Sequence, residues 1–154
     1  MSYSAKLAEL GIELPSVAAP VAAYVPAVQS GDLIYTSGQL PFVDGKLSAT
    51  GLVGGDVDEE TAYEQARIAT LNALAAVHDL VGIDKITKIV KVNGFVASAK
   101  GFGGQPAVIN GASELLGEVF GSEVGAHARA AVGVAELPLN APVEVEIIVQ
   151  VATQ

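Results

Sequence analysis

The clearest periodic signal lies near the end of the chain. In VEVEIIVQV, Val143, Val145, Ile147, Val149 and Val151 alternate onto one face of a strand predicted over 142–152, while Glu144, Glu146, Ile148 and Gln150 fall on the other. The run ITKIVKVNGFVAS at 86–98 is rich in β-branched residues and predicts a second strand. Residues 126–136 predict a third, separated from the last by Leu137, Pro138, Leu139 and Asn140. Towards the start, strands are expected over 25–29 and 33–37, joined at Ser30, Gly31 and Asp32, and Asp44 with Gly45 marks a hairpin because both tolerate positive φ. Helical spacing is clearest over 58–81. Asp58, Glu59 and Glu60 open that segment, where the helix dipole favours anions, and Gly82 closes it. Its IATLNALAAV is apolar almost all round, so more than one face is expected to be covered. A glycine-rich segment, KGFGGQ, reads as a flexible loop and leads to Pro106 in the first turn of a second long helix. Val108, Ala112, Leu115, Leu116 and Val119 share one face of that helix. A short helix is expected over 4–10, with Ser4 as its cap and Gly11 as its stop, followed by a Pro- and Ala-rich connector to Ala23. The order β, β, hairpin, α, β, α, β, β predicts an α+β sandwich, a mixed β-sheet with two main helices packed on one face. No internal repeat is visible. One domain is expected over 1–154, with a helix and connector at 1–23 and a core at 24–152.

Charge narrows the function. Eight Lys and Arg stand against 17 Asp and Glu in 154 residues, a formal net of −9, and the basic residues are scattered. A nucleic-acid binder needs a cationic surface to displace counterions, so no nucleic-acid partner is expected. The residues are 51% apolar, mostly Ala and Val, and only 16% are charged, which points to a sizeable subunit interface and an oligomer. The chain has no cysteine, hence no disulfide, no thiolate metal site and no cysteine nucleophile. Lys6 and Glu9 interrupt any signal-peptide core, and the uncharged stretch 14–31 is broken by Pro15, Pro20 and Pro26. A cytoplasmic protein without a membrane partner is the expectation.

The candidate chemistry sits in the last two strands. Glu144 and Glu146 fall on the sheet face opposite the helices, where a solvated outer surface is the simplest account. The preceding strand shifts that weight. Arg129, Ala131, Gly133 and Ala135 share a face, and small neighbours leave room for a ligand beside the guanidinium, the usual bidentate partner of a carboxylate. Were these two strands to pair antiparallel, Arg129 and Glu144 need not oppose each other within one chain, although they are free to meet across a subunit boundary. His127, two residues before Arg129, is a weaker candidate, and His78 reads as structural. Gly101, Gly103 and Gly104 match neither a phosphate loop nor a dinucleotide fingerprint, and no histidine pair has zinc-site spacing. Tyr24 and Asn110 are polar residues near element ends that fit either a surface or a site.

Two segments, HARAAVGVAELPLNAPVEVE at 127–146 and YVPAVQSGDLIYTSGQLP at 24–41, resemble the YjgF/Rid family of reactive-intermediate deaminases, also described as L-PSP endoribonucleases or translation inhibitors. The resemblance runs from about Tyr24 to Val151. It implies a chorismate-mutase-like α+β fold, a homotrimer with clefts between subunits, and cofactor-free hydrolysis of enamines or imines such as 2-aminoacrylate to a 2-keto acid and ammonia. By position, it implies that Arg129 holds the substrate carboxylate and Glu144 positions or activates water. Tyr24, Ser37, Gly38 and Asn110 match pocket positions, as does Ala131, which stands where many deaminating members carry a cysteine. A small carboxylate-bearing metabolite is the expected partner. The other readings are a non-catalytic module binding such a metabolite and, against the charge, an endoribonuclease.

Overall fold

The computed structural model describes residues 2–17 and 23–153; part of the predicted connector, 18–22, lies outside the described residues. The alternation at the C-terminus forms strand β7 (Val143–Val151), whose five inward Val and Ile side chains are buried while Glu144, Glu146, Ile148 and Gln150 are partly exposed. Beside it lies β5 (Ile86–Ala97), with Ile86, Ile89, Val92 and Val96 buried on the same side. With β1 (Ala27–Ser30), β2 (Leu33–Thr36) and β6 (Ala128–Val134) these make a mixed sheet in the order β1-β2-β7-β5-β6. All neighbours are antiparallel except β5 and β6. A parallel pair needs a long crossover, and α3 (Gln105–Val124) supplies it. One conditional reading falls here: the strands carrying Arg129 and Glu144 do not pair, because β5 lies between them.

Both long helices pack on one face, as expected. Helix α2 (Glu59–Val81) is capped by the Asp58 side chain, which accepts from the Thr61 amide at 2.7 Å, and ends at Gly82 with φ +91°. That bond also pulls the Asp58 carboxyl below its ordinary pKa. Buried Ala62, Ala66, Ala69 and Ala73 give α2 a thin side, and α3 approaches it at Gly111. A Cβ there would sit 3.0 Å from the Tyr63 carbonyl carbon and closer still to its oxygen. Backbone cannot yield as a side chain does, so Gly111→Ala is expected to cost about 2–3 kcal/mol, read as a lower midpoint in urea unfolding.

The short opening helix is α1 (Tyr3–Glu9). Ser2, not Ser4, caps it, accepting from the Ala5 amide at 3.1 Å. Ser4 instead donates from its hydroxyl (2.6 Å) and its amide (3.0 Å) to the Asp84 carboxylate, which ties the N-terminal helix to the turn Ile83–Lys85 after α2 and lowers the Asp84 pKa. The hairpin forms as β3 (Phe42–Val43) and β4 (Lys46–Leu47), with Asp44 and Gly45 at φ +52° and +77°. The glycine-rich segment before α3 is a packed turn rather than a free loop. The Phe102 ring lies against Gly54, and the Gln105 side-chain amide donates to the Phe102 carbonyl at 2.9 Å. No helix covers the other sheet face among the described residues, and Val28, Tyr35 and Val132 stand exposed there.

Candidate functional site

Arg129 lies on the helix side of the sheet. Its neighbour across the ladder is Val92, which is fully buried beside Ile147. Along α3, Pro106, Asn110 and Ser113 fall at i, i+4 and i+7, a polar stripe aimed at β6. Nη1 of Arg129 donates to Asn110 Oδ1 at 2.8 Å and to Ser113 Oγ at 3.2 Å, and Nη2 donates to the Pro106 carbonyl at 3.3 Å. All three acceptors are neutral, and among the described residues no carboxylate pairs with Arg129. The guanidinium is thus held in place with its charge unspent. The room expected beside the small residues of β6 is partly taken: at Gly133 a Cβ would lie 2.8 Å from Gln105 Nε2 and 2.9 Å from Ser98 Oγ.

Glu144 is on the opposite face. Its partner on β5 is Phe95, whose partner on β6 is the exposed Val132. Burial, and second the neighbouring Glu146 carboxylate, push the Glu144 carboxyl above its ordinary pKa. The chain beside it is bulged. Tyr35 pairs with Ile148 and Gln39 with Val145, so three residues, 36–38, stand opposite two, Glu146 and Ile147. Thr36 Oγ1 fills the gap in the ladder by accepting from the Ile147 amide at 3.0 Å. The bulge lays Gly38 against Glu144, where a Cβ would come within 2.8 Å of the carboxyl carbon and nearer to one oxygen. Gly38→Ala is therefore expected to displace the carboxylate, a flexible group, and to reduce turnover about tenfold while the melting temperature moves little.

The candidates thus fall into two groups. Arg129 and Ala131 lie on the side of β6 turned to α3, which carries Asn110. Glu144 and Gly38 belong to the open face, and Ser37 lies next to Gly38, its hydroxyl donating to the Val25 carbonyl at 2.6 Å. Tyr24 precedes Val25 and is about half exposed (49%). No single chain brings Arg129 and Glu144 together. Ser113 and the Pro106 carbonyl, both partners of Arg129, were missed by the sequence reading; the signal was the i, i+4, i+7 stripe beside the apolar face of α3. Among the described residues no three His, Cys, Asp or Glu side chains cluster as metal ligands, and no helix is long and apolar enough to cross a membrane.

A family model described as "YjgF/chorismate mutase-like, putative endoribonuclease" matches residues 4–151. The chain belongs to the YjgF family. Its fold is the YjgF chorismate-mutase-like α+β fold: the crystal structure of Atu1372 from Agrobacterium tumefaciens, a protein of unknown function, superposes with a TM-score of 0.89 at 48% identity, over 97% of this chain and 92% of that one. Protein TCP17 of Trypanosoma cruzi is 43% identical over 96% of this chain and 92% of its own length. A YjgF relative from Dermatophagoides farinae, named 2-iminobutanoate/2-iminopropanoate deaminase, is 36% identical over 90% of this chain and 93% of its own.

Proposed function

We propose that this YjgF protein is a hydrolytic deaminase of small imines and enamines that carry a carboxylate, such as 2-aminoacrylate. The observation that carries the reading is Arg129, a half-buried guanidinium fixed by three neutral acceptors and left unpaired by any described carboxylate. Such a group is a preorganised receptor for a substrate carboxylate. Glu144 supplies the complementary chemistry. With the substrate as its imine tautomer, the Glu144 carboxylate, whose pKa is raised, takes a proton from water as the oxygen adds to the imine carbon and passes it to nitrogen. The hydroxyl proton of the resulting carbinolamine then follows the same route to nitrogen as the C–N bond breaks, leaving a 2-keto acid and ammonia. The deaminase name of the Dermatophagoides farinae relative supports the same reaction.

Arg129 and Glu144 face opposite sides of one sheet, so a site that uses both needs a second copy of the chain. We place it in a cleft between subunits of a homotrimer, with Tyr24, Ser37, Gly38, Asn110 and Ala131 around the substrate. The exposed apolar residues on the uncovered sheet face favour such an assembly.

The test is ammonia and 2-keto acid formation from 2-aminoacrylate generated in the cuvette by a pyridoxal-phosphate enzyme. Acceleration over buffer is expected, from a species sedimenting as a trimer. No acceleration with several amino-acid-derived imines would overturn the proposal, and pyruvate binding without any change in imine lifetime would make the protein a binding module instead.

A further inference from the structure

Arg129 is one end of a hydrogen-bonded chain whose direction, with a neutral His127 ring, is set by its two ends. His127 Nδ1 lies 2.6 Å from the Gly125 carbonyl oxygen. A carbonyl oxygen only accepts, so in the neutral ring Nδ1 carries the proton and Nε2 is left as an acceptor. Ser113 Oγ lies 2.8 Å from that Nε2 and 3.2 Å from Nη1 of Arg129. A guanidinium only donates, so Ser113 Oγ accepts from Arg129 and turns its own proton towards His127. Each donor from Arg129 through Ser113 and His127 to Gly125 then has one acceptor.

We propose that His127 is a positioning residue for Arg129: by accepting the Ser113 proton, it fixes the serine lone pair that orients the guanidinium for carboxylate capture. The identity of the captured carboxylate rests on the deaminase reading; the hydrogen-bonded chain does not. Without an acceptor at His127, the Ser113 hydroxyl is free to turn back to the Ile109 carbonyl one helical turn earlier, as serines inside helices do. The lone pair facing Arg129 turns with it. Gly125 closes the C-terminal end of α3, while Pro106 lies in its first turn. The helix therefore braces the guanidinium directly near one end and, through His127, at the other.

The experiment has one arm that needs no turnover. Imidazole nitrogen NMR of the native protein, with His78→Gln to assign the only other histidine, is expected to show His127 protonated at Nδ1 and not at Nε2. Ser113→Ala should shift the Nε2 resonance. An Nε2-protonated ring, or a resonance indifferent to Ser113→Ala, overturns the proposal even if the deaminase reading stands.

The second arm measures pyruvate affinity alongside KM and kcat for 2-aminoacrylate. Ser113→Ala is expected to weaken pyruvate binding and raise KM about tenfold, because a bond to a charged group is lost. His127→Ala should do so about fivefold, with kcat within about twofold of native. The Ser113→Ala/His127→Ala double variant should be no worse than Ser113→Ala alone. His127→Gln, whose Oε1 can accept from Ser113, should recover most of the loss, and His127→Asn, which reaches only towards Gly125, should not. Additive effects in the double variant, or a fall in kcat with KM and pyruvate affinity unchanged, would show that His127 does not act through Ser113. An inactive native protein that still passes the NMR and pyruvate tests would sink the deaminase reading and leave the positioning role intact.

Discussion

Arg129→Ala is expected to lower kcat/KM for freshly generated 2-aminoacrylate by about 10²–10³-fold, chiefly through KM, the loss typical of removing one partner of a hydrogen-bonded charge pair, here the one that holds the substrate carboxylate. Among the described residues the side chain's hydrogen bonds go to Asn110, Ser113 and the Pro106 carbonyl, all near enough to the surface for water to replace it. The change in stability should therefore stay near about 1 kcal/mol. Folding and assembly are expected to survive, which separates a lost receptor from a lost fold; sedimentation and thermal melting of the variant check this. Arg129→Lys keeps the charge but not the planar fork that spans three acceptors, and it should recover only a small part of the activity. Native-like turnover in Arg129→Ala would remove Arg129 from the site, and native-like turnover in Arg129→Lys would show that charge without the planar fork is enough there.

Glu144→Gln is expected to reduce kcat by about 10²–10⁴-fold, the range for losing a positioned acid–base group. Its effect on stability should have the opposite sign. The Glu144 pKa in the fold is raised by burial and by Glu146, so the folded state holds this proton more tightly than the unfolded chain does. Ionised Glu144 is thus a burden on the fold at pH values above its raised pKa, and that burden disappears as pH falls through the carboxylate range. Glu144→Gln should melt at a higher temperature than the native protein at neutral pH, and the difference should vanish in acid. A variant that melts lower at pH 7 would show that the carboxylate contributes bonds to the fold that this structure does not contain.

How much of this was visible beforehand differs between the two halves of the site. Glu144 was readable because β7 alternates cleanly: a charged residue between Val143 and Val145 has only one face available. For Arg129 the expected stripe of small residues holds at Ala131 and Gly133 and stops there, since β6 ends before Ala135, and its relation to Glu144 was not readable. The strand ARAAVGV has almost no contrast between its two faces, so its pattern does not say which one turns to the helices. Pairing of Arg129 with Val92 decides that, and the position of β5 between β6 and β7 decides that the two candidate groups are not neighbours. The same holds for Gly38. Ser37, Gly38 and Gln39 read as the end of a strand, and only two ladders out of step by one residue create the bulge that brings Gly38 against Glu144.

From the amino-acid sequence alone come the elements, the hairpin at Asp44 and Gly45, the covered face of β7, the anionic balance and the candidacy of Arg129 beside Glu144 and Glu146. These are local properties, set by side-chain period, turn chemistry and charge within a few residues. The choice of Glu144 between the two glutamates came from the family resemblance. Strand order, the opposite facing of Arg129 and Glu144, the tie from Ser4 to Asp84, the bulge at 36–38 and the path from Arg129 through Ser113 to His127 were decided by the tertiary structure. Each depends on register or on a partner distant in the chain, and apart from the i, i+4, i+7 stripe that carries Ser113 none leaves a periodic trace in the residues themselves.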